Sequence, residues 1–256
     1  MAHTSVHRPK KSVTKPAVNG INGQQVQNKI LLSLPKRERA ALFLKLTFVS
    51  LPIRTVLNQI GEPIEFGYFV NDGLASVRSI MGDGKSVEVG LCGKEGFVGV
   101  PLVAGFSTSP TRVIVQVAGS AFRVSAKDLL AAARKCPELA NALQRFTQEL
   151  GLQSSQAAAC NRLHEVDERL ARWLLMSQDR LGSDDVVPLT QEFLAHILGT
   201  RRASVTVAAG MLQKAGLITY KRGAVKVESR PGLEDATCEC YGIMTEQMKK
   251  WQAETS

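Results

Sequence analysis

Hydrophobic and polar positions follow three rhythms along the 256 residues of this chain. From Asn28 to Leu51, leucines recur at helical spacing (Leu31, Leu32, Leu34, Leu42, Leu44, Leu46) around a charged Lys36-Arg37-Glu38-Arg39 break, which predicts helices leading into a domain. From Val56 to Val124 the rhythm shortens. β-prone runs (EFGYFV, LASVRSI, KSVEVGLC, TRVIVQV, SAFRV) alternate with turn signals at Asn71-Asp72-Gly73, Gly82-Asp83-Gly84, Gly93 to Gly96 and Ala118-Gly119-Ser120. Short strands so spaced predict a compact antiparallel barrel, sandwich or roll.

After Ser125 the pattern is helical again. A short helix, AKDLLAAARK, ends at Cys136-Pro137, and a long one runs from about Glu138 to Leu163. Its stripe of Leu139, Leu143, Phe146, Leu150 and Leu152, continued by Ala157 and Ala158, fits either a buried core or a coiled-coil dimer seam. A further helix, Glu165 to Leu181, places Val166, Leu170, Trp173, Leu174 and Met176 at helical spacing and is expected to support the core of the C-terminal domain.

The segment from Leu189 to Val227 carries the most information. Thr190 is a suitable N-cap, and Leu194, Ile197 and Leu198 form one apolar stripe. Ala195 is small where a second helix must cross. Gly199 stands where the chain must turn with positive φ. A second helix from near Arg201 buries Val205, Ala208 and Leu212 and stops at Gly216. That spacing is a helix-turn-helix. Its outward face holds Arg202, Ala203, Thr206, Val207 and Gly210, with Arg201 and Ser204 beside it, small enough for a major groove. Two β-rich runs then flank a basic turn, Lys221-Arg222-Gly223, a hairpin wing whose tip can reach phosphates. Seven basic residues stand against two acidic ones between Leu189 and Arg230, where phosphate neutralisation supplies affinity.

Composition narrows the setting. The net charge of +9 favours an acidic partner, and 44% hydrophobic residues suffice for about two ordinary cores. No apolar run approaches the ~20 residues of a membrane span, and the N-terminus lacks a secretory apolar stretch, so a cytoplasmic protein with no membrane partner is expected. The first 25 residues, with Arg8, Lys10, Lys11 and Lys15 and no acid among the first 20, read as a disordered basic tail. Five scattered cysteines (Cys92, Cys136, Cys160, Cys238, Cys240) imply reduced thiols. Cys92 reads as a small buried hydrophobe and His164 as a hinge or surface residue. Cys238-Glu239-Cys240 is a poor zinc half-site beside the Cys-x₂₋₄-Cys spacing of structural sites, and neither a metal nor a cofactor is expected. No Gly-rich phosphate loop, zinc-type His pair or Gly-x-Ser-x-Gly elbow occurs, which argues against an enzyme.

A β-roll, a long helix and a winged helix-turn-helix in that order resemble the Crp/Fnr family of bacterial transcription regulators, over about Asn28 to Arg230. The resemblance implies an α+β chain: a basic tail (1–25), a jelly-roll-like antiparallel sensor domain similar to cyclic-nucleotide-binding domains (26–136), a dimerisation helix and hinge (137–164, the hinge near Leu163-His164-Glu165), the winged head (165–232) and a C-terminal extension (233–256). It implies a homodimer on a palindromic double-stranded operator, with RNA polymerase a candidate second partner. Cyclic-nucleotide members hold the ribose with a Gly-Glu pair and the phosphate with an Arg-Ser pair; here Gly99-Val100 and Thr111-Arg112 fall at those places, and Ser154-Ser155 where a Thr-Ser pair touches the base. Val100 cannot replace a carboxylate, so cyclic AMP is not expected to bind in the usual way. Another effector, such as a cyclic dinucleotide, or thiol redox is the alternative. The iron–sulfur branch needs an N-terminal Cys cluster, and no Cys precedes Cys92. The best-known member reads its operator with Arg, Glu and Arg; the matching residues here are Arg202, Ala203 and Val207, so a different operator is expected.

Overall fold

The computed structural model describes residues 20–21, 23–181 and 187–255. The basic residues of the expected tail lie outside them. The described residues of this stretch do not belong to a disordered tail: β1 (Gly20–Ile21) pairs with β2 (Gln24–Gln25), and Ile21 and Val26 are buried in the first core. Two short helices come next, α1 (Lys29–Ser33) and α2 (Lys36–Phe43). Asn28 caps α1 by accepting from Leu31 N–H, and its amide donates to the carbonyls of Val70 and Gly96, 2.8 Å each. One buried side chain thus joins the first helix to the middle of β5 and to the turn before β7.

The helical reading runs too far at Leu46-Thr47. Thr47–Leu51 is a strand, β3, because its β-branched and aromatic residues pair along the end of the roll. The roll then comprises β4 (Val56–Asn58), β5 (Phe66–Ile80), β6 (Ser86–Cys92), β7 (Phe97–Val98) and β8 (Arg112–Ser125), with α3 (Val100–Val103) between the last two. Strand order is β3-β8-β5-β6, all antiparallel; β4 also pairs with β8 and β7 with β5. Two expected turns, at Asn71-Asp72-Gly73 and Ala118-Gly119-Ser120, are not turns. β5 and β8 run through them side by side with shifts of register between Val70 and Ala75. The glycines serve a close approach instead. A Cβ on Gly119 would lie 2.2 Å from the Asp72 carbonyl oxygen, and Gly73 has φ +82°. Bulged glycine pairs bend both long strands and curl the sheet into a roll. Gly82-Asp83-Gly84 does turn, closing the β5–β6 hairpin through Met81 N–H to Lys85 C=O.

Helix α4 (Ala126–Lys135) is capped by Ser125, whose hydroxyl accepts from Asp128 N–H. The long helix α5 (Pro137–Leu163) starts on a proline and ends at an extended His164, which with Glu165 makes a two-residue link to α6 (Val166–Leu181). Of the two readings of the α5 stripe, the core prevails. Leu139, Leu143 and Phe146 are buried in the roll core with Phe69, Phe97 and Phe122. Leu150 packs on the same core and Leu152 on the second. α5 lies directly on β6: Gln153 accepts from Leu91 N–H (2.9 Å) and donates back to its carbonyl, and Ser154 Oγ donates to Val89 C=O (2.9 Å).

The head comprises β9 (Val187–Pro188), α7 (Gln191–Leu198), α8 (Arg202–Lys214), β10 (Ile218–Lys221) and β11 (Ala224–Val227), followed by α9 (Arg230–Asp235) and α10 (Cys240–Glu254). α6 is buried on nearly every side from Arg169 to Ser177, since the roll covers one face and the head the other. Two polar ties fix it to the roll, and a bond within the roll holds one of their acceptors in place. Arg180 pairs with Glu95 at 2.8 Å, Trp173 Nε1 donates to Glu88 at 2.7 Å, and Ser76 Oγ donates to the second oxygen of Glu88 at 2.5 Å.

Burial pushes the Glu88 carboxyl up to about 7, against the bonds from Ser76 and Trp173 and the charges of Arg78 and Arg172. A carboxyl raised on folding binds a proton that the unfolded chain, with its value of 4.5, has released. Stability from this group is present below about pH 4.5 and lost as the pH rises through 7, by about 3 kcal/mol in all. Urea unfolding between pH 5 and 7.5 should show that decline in the wild type, and Glu88→Gln should flatten it.

Candidate nucleic-acid interface

The helix-turn-helix is built as the spacing predicts. Thr190 Oγ1 accepts from Phe193 N–H, and Leu194, Ile197 and Leu198 face inward against Val205, Ala208, Ala209 and Leu212 of α8. Gly199 takes the left-handed turn (φ 57°), its N–H on Ala195 C=O. α8 ends with Gly216 at φ 73°. Strands β10 and β11 pair in register from Ile218↔Val227 to Lys221↔Ala224, with β9 on the far edge. The two residues at the tip, Arg222 (φ 51°) and Gly223 (φ 75°), both have positive φ, the conformation of a two-residue primed turn. Arg222 holds a backbone region that costs a non-glycine residue about 1–2 kcal/mol.

Among the described residues nothing covers the outer side of α8. Arg202, Ala203, Thr206, Val207 and Gly210 are exposed, as are Arg201, Lys221 and Arg222; Ser204 is half-buried. Arg202 Nε reaches Gln191 Oε1 only at 3.5 Å, and Thr206 Oγ1 donates to Arg202 C=O, tucked against its own helix. Two large apolar side chains stand out on this face, Val207 at 63% and Met211 at 54% exposure. The sequence reading missed Met211. It lies one turn beyond Val207 and off the buried stripe, which is the signal that could have found it. The wing is tied to the helices by Tyr220, whose hydroxyl donates to Leu189 C=O (2.9 Å) and whose N–H donates to Gln213 (2.8 Å).

Residues 168–236 match the Crp-like helix-turn-helix domain. Among solved structures, FixK2 from Bradyrhizobium japonicum superposes on 75% of this chain and 98% of its own, at TM-score 0.65 and 18% identity. The c-di-GMP responsive global regulator CLP of Xanthomonas campestris covers 76% and 100%, at 0.63 and 18%. A CRP-family transcriptional regulator of Thermus thermophilus, TTHB099, covers 74% and 95%, at 0.59 and 19%. The chain shares the fold of these regulators, and its head carries a Crp-like helix-turn-helix domain. No protein of curated function matches it in sequence.

Within this Crp/Fnr fold the six candidate effector residues do not converge on one cavity. Val100 lines an open groove of about 1050 Å³ between α3 and the outer side of α5, which none of the other five lines. Gly99 turns at φ 116° against Gly67 and the Phe97 ring. The Thr111 hydroxyl sits 3.2 Å from that of Ser109, and Arg112 Nε donates to Gln59 at 2.6 Å. Ser154 is spent on Val89 and Ser155 is exposed. No helix among the described residues is long and apolar enough to cross a membrane.

The sequence reading gave the C-terminal extension bounds but no packing partner, and the structure supplies one. It is no loose appendage: α10 packs along α5 and α6, and Met244 is buried in the second core. Tyr241 OH donates to Asp179 at 2.9 Å, and Arg230 bonds both. Cys238 and Cys240 are buried against Cys160, and His164 is turned toward them rather than out into solvent.

Proposed function

We propose that the chain regulates transcription as a homodimer reading a two-fold symmetric operator. The observation that carries this is the uncovered face of α8, with Arg202 at its leading end and the basic wing tip, Lys221-Arg222, beside it. Arg202 would bond a guanine edge bidentately; Ala203, Val207 and Met211 offer apolar surface to thymine methyl groups. Thr206 and Ser204 supply short hydroxyls near the base edges. Arg201, Lys221 and Arg222 would hold phosphates, which position the head without reading sequence. The operator should therefore differ from one read by an Arg-Glu-Arg helix. Selection from a random DNA library by the full chain should enrich a palindrome. On it Arg202→Ala should lose about 1–3 kcal/mol of specific binding and relax one base position, whereas Lys221→Ala should weaken all sequences alike. No enrichment by folded, ligand-free protein, or the same uniform loss in both variants, would remove the reading face assigned here.

The dimer seam would use the outer side of α5, not its leucines. Asn141, Gln144, Gln148, Gly151, Ser155 and Ala158 are all exposed and alternate three and four residues apart, the spacing of one continuous coiled-coil face. Small residues along its second half allow two backbones to approach. A Cβ on Gly151 meets nothing within 4 Å in the protomer. Gly151→Glu should leave the protomer folded and shift light-scattering mass from dimer to monomer, whereas Gly151→Ala should stay dimeric. A dimer unaffected by the glutamate would place the seam elsewhere.

The sensor reading rests on the same contacts. Val100 offers no acceptor to a ribose diol, Arg112 is engaged by Gln59, and α5 closes onto β6 through Gln153 and Ser154. We expect calorimetric titration with cyclic AMP to show no binding at micromolar concentration; measurable heat with one-to-one stoichiometry would overturn this.

A further inference from the structure

Four side chains remote in sequence meet where α5 ends and α10 begins. Cys160 and His164 stand four residues apart on α5 and its cap, and Cys238 and Cys240 flank Glu239 at the start of α10. One ligand atom from each lies within 4.8 Å of all the others. We propose that these four residues bind one zinc ion as a closed Cys₃His site.

The geometry suits a single tetrahedral ion. Zinc bonds of ~2.3 Å to sulfur and ~2.0 Å to nitrogen imply edges of about 3.8 Å between sulfurs and about 3.5 Å between sulfur and nitrogen. Cys160 Sγ and Cys238 Sγ are 3.5 Å apart, and Cys240 Sγ is 3.5 Å from His164 Nδ1. A cluster of several irons and sulfides would need its ligands spread around a larger void. All three cysteines are at least 96% buried, so no position stays open to substrate and the site is structural, not catalytic.

The surroundings are those of a ligand set. His164 Nε2 lies 3.0 Å from Glu239 Oε2, so the carboxylate accepts the proton of the far nitrogen and leaves Nδ1 as donor to the metal. Gln156 Nε2 donates to Cys240 Sγ at 3.1 Å, as amides do to metal-bound thiolates. Three thiolates, a neutral imidazole and a divalent ion carry one negative charge. Arg169 and Arg172 are buried within electrostatic range of Cys160, and the Nε of each has no hydrogen-bond partner. A pair of buried cations is costly without an anion nearby, and a zinc–thiolate centre supplies one. The ion would join the last turn of α5, the hinge residue His164 and the C-terminal extension into one rigid joint.

The test uses the full chain without a histidine tag, purified under reducing conditions. Metal analysis should find about one zinc per chain, retained in the control Cys136→Ser and reduced to under about a tenth in Cys238→Ser. Glu239→Gln, at an exposed position, should keep the fold and weaken zinc about 10- to 100-fold against a competing chelator. Cobalt exchanged into the wild type should show tetrahedral d–d bands with thiolate charge transfer. The proposal is overturned if reduced wild type takes up neither zinc nor cobalt, or if Cys238→Ser holds metal as well as Cys136→Ser.

Discussion

Helix α6 has no face of its own to give to water, and the rest of the molecule is arranged around that constraint. Its Trp173 is the largest fully buried side chain and belongs to the core of the head, yet the indole N–H ends on Glu88 of the roll. A helix buried on both sides needs both cores present before it is satisfied. The roll and the head are joined both by apolar packing, with Leu74 and Leu91 of the roll buried in the core of the head, and by buried polar pairs, Glu88 with Trp173 and Glu95 with Arg180. Leaving any of them unpaired in the interior costs more than the bond itself contributes.

The contact between the roll and α5 fits the same logic. Where a ligand-binding roll would keep a polar cleft between sheet and helix, this one closes the gap with protein–protein bonds. Gln153 takes both backbone groups of Leu91, and Ser154 takes Val89. Arg112, the residue nearest in character to a phosphate anchor, is already held by Gln59. One open groove lies instead between α3 and the outer side of α5.

The head was readable in the sequence because each of its signals is local. A cap three residues from its donor, a left-handed glycine and a 3.6-residue stripe act within one or two turns, and Thr190, Gly199 and Val205 stand where such signals place them. The roll was legible as a set of strands but not in its connections. Gly73 and Gly119 look like turn residues alone; only the partner strand 46 residues away shows that they relieve a collision. The leucine stripe of α5 was ambiguous for a related reason, since periodicity gives a face but not what covers it. Met211 escaped notice because exposure, not pattern, distinguishes it. The Cys-x-Cys pair was judged by its own spacing, while its counterparts, Cys160 and His164, lie on another helix about 75 residues upstream.

Gly199 makes the left-handed turn of the helix-turn-helix, and a side chain there would come within 3.1 Å of Val87 on the β6 strand of the roll. The same position thus answers to two unrelated demands, backbone handedness and clearance from a neighbouring domain. Asparagine, the usual substitute where left-handed backbone is required, would satisfy the first and offend the second. The turn between the two helices and the tip of the β5–β6 hairpin consequently meet as a close-fitting pair of surfaces, in which the size of residue 199 and the size of residue 87 limit each other.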